Sequence, residues 1–349
     1  MLRIIDANCN RIGEGLRFLE DIARFILNDA TLSNQLKAMR HSLVKSLGQL
    51  SRAMLSERNS RADVGFGTQL GQHQDLASLV TANAKRVEQA LRVIEELAKL
   101  PDLSTKLHSK DFEQARFNLY ALERVIVSRL IRRQKIEQLT GLYVIIDTQV
   151  LGLKCEIDAA RKAINGGAKV IQLRDKNHSK SEILAIAQKL KDSCCKSNIL
   201  FIVNDHLDIA LACEADGLHI GQDDLPLSVV REELPIDKIV GLSATTLAQA
   251  QKAEAEGADY VAVGSIFPSP TKASATVVGL ERLHQIKQTI SIPVVAIGGI
   301  NRENIVEVMA AGADSAAVIS AVLNQRNVEA STRQLVKEIE KETKTHKES

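Results

Sequence analysis

Export and membrane signals are the first things this sequence lacks. It opens MLRIIDANCNR, without the long apolar core of a signal peptide, and no apolar run approaches the length needed to span a bilayer. The expected setting is cytoplasmic, with no membrane partner. The five cysteines fit no metal-ligand spacing: Cys194 and Cys195 are adjacent, while Cys9, Cys155 and Cys213 stand alone. In a cytoplasmic chain they are expected to be reduced thiols. An excess of either charge is missing too. The formal net charge is +2, with no large basic field to recruit nucleic acid and no long acidic block. A dinucleotide fingerprint is absent, as are a P-loop and a kinase Gly-rich motif.

What is present is a chain of 349 residues, 45% hydrophobic, which is ample for a core and long for one domain. Two periodicities divide it. Residues 1–135 carry helical spacing almost throughout, and residues 136–349 carry short β-rich runs alternating with helical stretches. The segment RLIRRQKIEQLTG (129–141) reads as the joint, and the tail EIEKETKTHKES as a solvated end.

In the first part, Leu16, Leu19, Ile22, Ala23 and Ile26 fall on one helix face, with Asp6 expected as its cap. The stretch ANCNRIGEGLRFLEDIA (7–23) is echoed by ANAKRVEQALRVIEELA (82–98), pairing Asn8 with Asn83, Arg11 with Arg86, Arg17 with Arg92 and Glu20 with Glu95. A repeated helix predicts a pseudo-symmetric bundle. Asn and Arg three residues apart share a face, so both copies can present polar pairs to a central cleft, or simply a solvated stripe. Between the copies, SRADVGFGTQLGQHQ, with its glycines and Asp63, reads as a loop able to cover a ligand.

In the second part the runs are GLYVIID (141–147), AKVIQLR (168–174), ILFIVND (199–205), DGLHIG (216–221), KIVGLS (238–243), YVAVGS (259–264), IPVVAIGG (292–299) and DSAAVIS (314–320). Strands alternating with helices in this number predict an α/β fold, a (β/α)₈ TIM barrel, with an open doubly wound sheet as the alternative.

Active sites of such barrels lie at the carboxyl ends of the strands. There this chain places Gln172-Leu173-Arg174-Asp175-Lys176, of which Gln172, Arg174 and Lys176 share one side. Two cations and an amide suit an anionic ligand. Strand three ends Asn204-Asp205, and Asp223 and Asp224 follow strand four. Carboxylates facing phosphates suit Mg²⁺, which accepts few protein oxygens. Capping of the next helix is the competing role for both Asp205 and Asp224. Ser243 ends strand five, and the next loop carries Ser269, Pro270, Thr271 and Lys272. Gly298 and Gly299 follow strand seven, and Ile319 and Ser320 follow strand eight, where this architecture commonly cradles phosphate.

The blocks QLRDK, IVNDHLDIALACEADGLHIGQDDLP, GLSATT, VGSIFPSPTK and IPVVAIGGI with AGADSAAVIS resemble the thiamine phosphate synthase family across roughly residues 138–325. The resemblance implies a transferase of thiamine biosynthesis that condenses hydroxymethylpyrimidine pyrophosphate with thiazole phosphate. It implies Gln172 to Lys176 and Asn204 as the pyrimidine pyrophosphate site, and Asp205 and Asp224 as ligands of Mg²⁺. Ser243 and Lys272 would contact the pyrophosphate, and Ser269, Pro270, Thr271, Gly299, Ile319 and Ser320 the thiazole phosphate. Arg174, Lys176, Ser243 and Lys272 would stabilise departing charge. Ser269 stands where the family usually has Thr, keeping the hydroxyl. Residues 1–135 resemble the extension fused to this synthase in cyanobacteria and related bacteria, which is linked to phosphorylation of the pyrimidine precursor. The expected partners are these small substrates, and a homo-oligomer is left open. A thiazole tautomerase-like isomerase and a non-catalytic ligand-binding protein are the rival functions.

Overall fold

The computed structural model describes residues 1–56, 74–269 and 276–345. The glycine-rich stretch with Asp63 lies outside them. The chain divides into two compact units, Met1–Ile131 and Arg132–Ser349. Among the described residues no helix is long and apolar enough to cross a membrane.

The first unit is helical. Its elements are α1 (Leu2–Asp21), α2 (Ala30–Leu47), α3 (Ser51–Ser56), α4 (Leu76–Leu97), α5 (Pro101–Ser104) and α6 (Ser109–Glu137), whose last residues belong to the second unit. The two repeated segments are α1 and α4, and they pack on each other. Ile5, Ile12, Leu16 and Leu19 of one and Val80, Val87, Leu91 and Ile94 of the other are buried in one cluster. Asp6 does not cap α1, which begins a turn earlier with Met1 at its N-cap and no side-chain cap. The reason is Ile5: the buried stripe reaches back past Asp6, and a later start would leave that isoleucine unpacked.

The expected polar cleft is likewise replaced by an apolar seam among the described residues. Asn8 and Asn83 each donate to a carbonyl one turn back on their own helix, those of Ile4 and Leu79. Arg11 and Arg86 are exposed. The repeat instead expresses itself through its glutamates. Glu20 accepts from Arg40 at 2.9 Å and Glu95 accepts from Arg116 at 3.1 Å, each carboxylate buried and each arginine on the next long helix. Asp75 caps α4 in a reciprocal capping box with Ser78.

The second unit is a closed parallel barrel, β1 (Gly141–Asp147), β2 (Val170–Arg174), β3 (Leu200–Asn204), β4 (Gly217–Ile220), β5 (Ile239–Ala244), β6 (Tyr260–Val263), β7 (Val294–Ile297) and β8 (Ser315–Val318), in sequential order. The open-sheet alternative is excluded because β8 pairs with β1, Leu142 opposite Ala316. Outward residues such as Val144, Ile171 and Val261 pack under the surrounding helices, while Leu139, Val170, Leu200, Ile239 and Val295 belong to a separate interior cluster. Asp259, buried before β6, accepts from Arg132 at 2.8 Å, from Arg231, and from the Val240 amide.

The closeness of the α1–α4 seam depends on Gly15, where an added Cβ would lie 2.3 Å from Val87 Cγ2. Gly15→Ala is expected to overpack the seam at a cost of about 1–3 kcal/mol, seen as a lower urea midpoint for the helical unit. An unchanged midpoint would mean that the helices can separate without penalty.

Candidate active site

Side chains alternate across a strand, so Tyr143, Ile145 and Asp147 of β1 share the barrel interior with Gln172 and Arg174 of β2. A cavity of about 400 Å³ is built on these inward positions and the loops above them. Its wall includes Gln172, Arg174, Lys176, Asn204 and Asp205. Asp223, Asp224, Ser243, Ser269, Gly298 and Ile319 also line it. Leu173, Asp175, Gly299 and Ser320 are not among the described residues that line it. Pro270, Thr271 and Lys272 lie outside the described residues.

The departures of Leu173 and Asp175 follow from parity. Leu173 is an outward residue and is buried beneath the helices. Asp175, outward and buried, closes the loop after β2 by accepting from the Asn177 and His178 amides and meeting His178 Nδ1 at 2.7 Å. Ser320 begins a short helix directly after the lining residue Ile319. Gly298 reaches the wall in a left-handed conformation, φ +100°, where a Cβ would collide with Ser265 Oγ.

The mouth holds the charges. Lys176 Nζ lies 3.8 Å from Asp205 Oδ2, and Arg174 pairs with buried Asp147, whose other oxygen accepts from the Gln149 and Val150 amides. Asp205 adopts φ +62° and donates its amide to the His219 carbonyl. Burial pushes its carboxyl above the usual carboxylate range; the neighbouring Asp224 adds to this, and Lys176 and His206 act against it. Neither aspartate caps a helix. The helix after β3 has His206 at its N-cap and the one after β4 has Pro226, both without a side-chain cap, while Asp224 Oδ2 accepts from the Gly221 amide at 2.7 Å. Among the described residues no group of three or more His, Cys, Asp or Glu gathers as metal ligands. The donor set is therefore a carboxylate pair, which suits a hard cation that keeps waters and takes phosphate oxygens, rather than a thiolate- or imidazole-ligated metal.

Beneath the charges runs a polar floor that sequence reasoning missed. Gln172 Nε2 donates to the Tyr143 hydroxyl at 2.8 Å, which lies 3.2 Å from the Tyr260 hydroxyl. Tyr260 meets His219 Nδ1 at 3.1 Å, and His219 Nε2 meets Ser243 Oγ at 3.0 Å. Burial pushes the His219 imidazole down to about 4, with Asp224 opposing, so it is neutral near pH 7. Gly241 makes this chain possible, because a Cβ there would sit 2.0 Å from Tyr260 Cζ. A tyrosine or histidine at an inward position of a fully buried strand was the available signal for Tyr143, His219 and Tyr260. For Asp147 the signal was a carboxylate closing a strand, as at Asp205.

Fold and cavity together define a (β/α)₈ barrel whose mouth gathers two cations, Arg174 and Lys176, and two carboxylates, Asp205 and Asp224. The "Thiamine monophosphate synthase" family model matches residues 142–322, and the "ThiD2 family" model matches residues 3–125. A thiamine-phosphate synthase of Synechocystis sp. is 40% identical over 97% of this chain and 96% of its own length, and one of Thermosynechococcus vestitus is 38% identical over 97% and 94%. The solved thiamine phosphate pyrophosphorylase of Pyrococcus furiosus is 41% identical, with a TM-score of 0.56, covering 60% of this chain and 98% of that one. The chain belongs to the thiamine-phosphate synthase family.

The Asp175–His178 contact gives a pH signature. Asp175 feels burial first, which raises it, but the His178 and Asn177 amides and the His178 imidazole outweigh that and hold it below the ordinary value of 3.8. The same contact raises His178 above 6.5. A raised imidazole contributes stability that is complete below its unfolded value and is lost as pH rises through the folded one; the depressed carboxylate contributes above its own unfolded value. His178→Ala is therefore expected to lower Tm most at about pH 5–6, with the deficit shrinking towards about pH 9. A deficit that does not vary with pH would show that the ion pair contributes nothing.

Proposed function

We infer that this chain joins hydroxymethylpyrimidine pyrophosphate to thiazole phosphate, releasing pyrophosphate and forming thiamine phosphate. The observation that carries this reading is the convergence of Arg174, Lys176, Asp205 and Asp224 above one polar-floored cavity. Asp205 facing Asp224 is costly unless a cation joins them, and the nearby Arg174 and Lys176 suit an anion, so a metal-bound pyrophosphate uses both sets. An isomerase of the thiazole alone would have no use for the carboxylate pair.

On this reading Gln172, Arg174, Lys176 and Asn204 hold the pyrimidine pyrophosphate, and Ser243 donates to it. Ser269, Gly299, Ile319 and Ser320 flank the thiazole phosphate. Leu173 and Asp175 contribute by shaping the β2 end and its loop rather than through side-chain contact. Asp205 and Asp224 fit Mg²⁺, since two facing carboxylates leave most of an octahedral shell to water and phosphate oxygens. When bound, the ion supplies positive charge to the leaving pyrophosphate. Arg174 and Lys176 stabilise the charge that grows on that group as the carbon–oxygen bond breaks. The electron-rich aminopyrimidine supports a benzylic-type cation at its methylene carbon. Attack by the thiazole nitrogen transfers no proton, so no side chain need serve as nucleophile or general base. Ile145, Val295 and Ile297, also on the wall, limit water around that cation. The transfer is assigned to residues 136–349, and residues 1–135, matched over 3–125 by a separate family model, are given a role of their own, on the pyrimidine precursor as the resemblance of that extension implies.

Two experiments test this. Lys176 is half exposed, so Lys176→Ala should leave Tm unchanged while kcat falls roughly 10²-fold; Arg174→Ala should cost as much in kcat and also lower Tm, because Asp147 is left buried without its cation. Near-normal turnover in both removes the charge-stabilising role. Second, Asp205→Asn should raise the Tm of the metal-free protein by a few degrees, about 2–4 °C for each kcal/mol of relieved repulsion. It should also abolish the stabilisation that Mg²⁺ with pyrophosphate gives the wild type. Equal metal-induced shifts in both proteins would place the ion elsewhere.

A further inference from the structure

The five bonded groups of the floor share one direction. An amide, two phenols, an imidazole and a hydroxyl each both donate and accept, so with both phenol protons spent within the chain, reversing one bond reverses the rest. In one sense, His219 Nε2–H donates to Ser243 Oγ and its Nδ1 accepts from Tyr260. Tyr260 then accepts from Tyr143, and Tyr143 accepts from Gln172 Nε2. That sense leaves the Ser243 hydroxyl proton free for the cavity and turns Gln172 Oε1, an acceptor, towards it. In the opposite sense Ser243 spends its proton on His219 and the rotated amide of Gln172 offers a donor. Both end residues line the cavity.

We propose that this hydrogen-bonded chain couples the two ends of the substrate site, with Tyr143, His219 and Tyr260 as positioning residues that make pyrophosphate binding at Ser243 select an amino-bearing pyrimidine at Gln172. The inference rests on the substrate placement given under Proposed function. A pyrophosphate oxygen at Ser243 demands a donor and so sets the first sense. An exocyclic amino group at Gln172 demands an acceptor and sets the same one. A ring bearing a carbonyl in place of the amino group demands a donor there and sets the opposite sense. The leaving group therefore discriminates between amino- and oxo-pyrimidines that it never touches. The geometry suits a rigid relay: the Tyr260 ring is stacked on His219 with centroids 5.6 Å apart, is seated against Gly241, and is fully buried, as Tyr143 nearly is.

The test uses fragments of the substrate on the full-length protein at fixed Mg²⁺. Calorimetry measures binding of 4-amino-2,5-dimethylpyrimidine and of 2,5-dimethylpyrimidin-4-one, each with and without saturating pyrophosphate. In the wild type, pyrophosphate is expected to tighten the amino probe about fivefold or more, the lower end of ordinary site-to-site coupling, and to weaken the oxo probe. In Tyr260→Phe, and independently in Tyr143→Phe, both effects should collapse to within about twofold of unity while pyrophosphate alone still binds. Coupling of the same sign for both probes, or coupling that survives both substitutions, overturns the relay. If pyrophosphate and both probes bind the wild type without coupling, the relay falls and the substrate placement stands; if none of them binds, both fall.

Discussion

Inside a closed barrel a buried polar side chain finds its protein partners among others that share its inward parity, because the backbone groups are already spent on the strand ladder. That constraint organises the site. Tyr143, Gln172, His219, Ser243 and Tyr260 come from five different strands, yet each supplies the partner that its neighbour needs. The result is a floor with fixed geometry and neutral chemistry. Above it, where the strands give way to loops, the charges no longer satisfy one another fully: Asp205 faces Asp224 as well as Lys176. Satisfied below and unsatisfied above is the pattern expected of a preorganised binding site.

The helical unit answers the burial problem in a different way. Its two like segments pack against each other along an apolar seam, and each buries one glutamate against an arginine of the following long helix. A buried carboxylate requires such a partner, and Glu20–Arg40 and Glu95–Arg116 supply it in equivalent places. Duplication thus extends beyond the repeated segments to the helices that cover them. In the second unit Asp259 plays a comparable part, gathering Arg132 and Arg231 beside the start of β6, so that ionic order is built into the barrel away from its mouth as well.

The barrel was legible because its strands are buried on both sides and read as unbroken apolar runs, and because β1 to β8 follow each other at regular intervals. The charged mouth was legible because Gln172, Arg174 and Lys176 alternate, and alternation is a geometric statement about a strand. The same rule, applied strictly, separates Leu173 and Asp175 from them, although all five stand in one motif. Tyr143 and Tyr260 escaped notice because an aromatic residue within an apolar run resembles ordinary core until its hydroxyl is followed to a partner across the barrel, a relation of 117 residues in sequence. Asp6 misled because a carboxylate near a helix start reads as a cap, whereas burial of Ile5 carries the helix past it.

The cost of the mouth is visible in the backbone. Asp205 sits at φ +62°, a region that non-glycine residues seldom occupy, though aspartate tolerates it better than most. Its amide bond to the His219 carbonyl and the next amide's bond to the Asn204 carbonyl hold the turn in place. Strain of this kind, on the order of 1–3 kcal/mol, persists only where the surroundings over-determine it. Here they do so with two adjoining strands, one of which also carries the imidazole at the heart of the floor. The carboxylate that faces Asp224 and the relay beneath it are therefore anchored to the same residue, His219. The turn uses the backbone carbonyl of that residue and the relay uses its imidazole, so one strand position serves both.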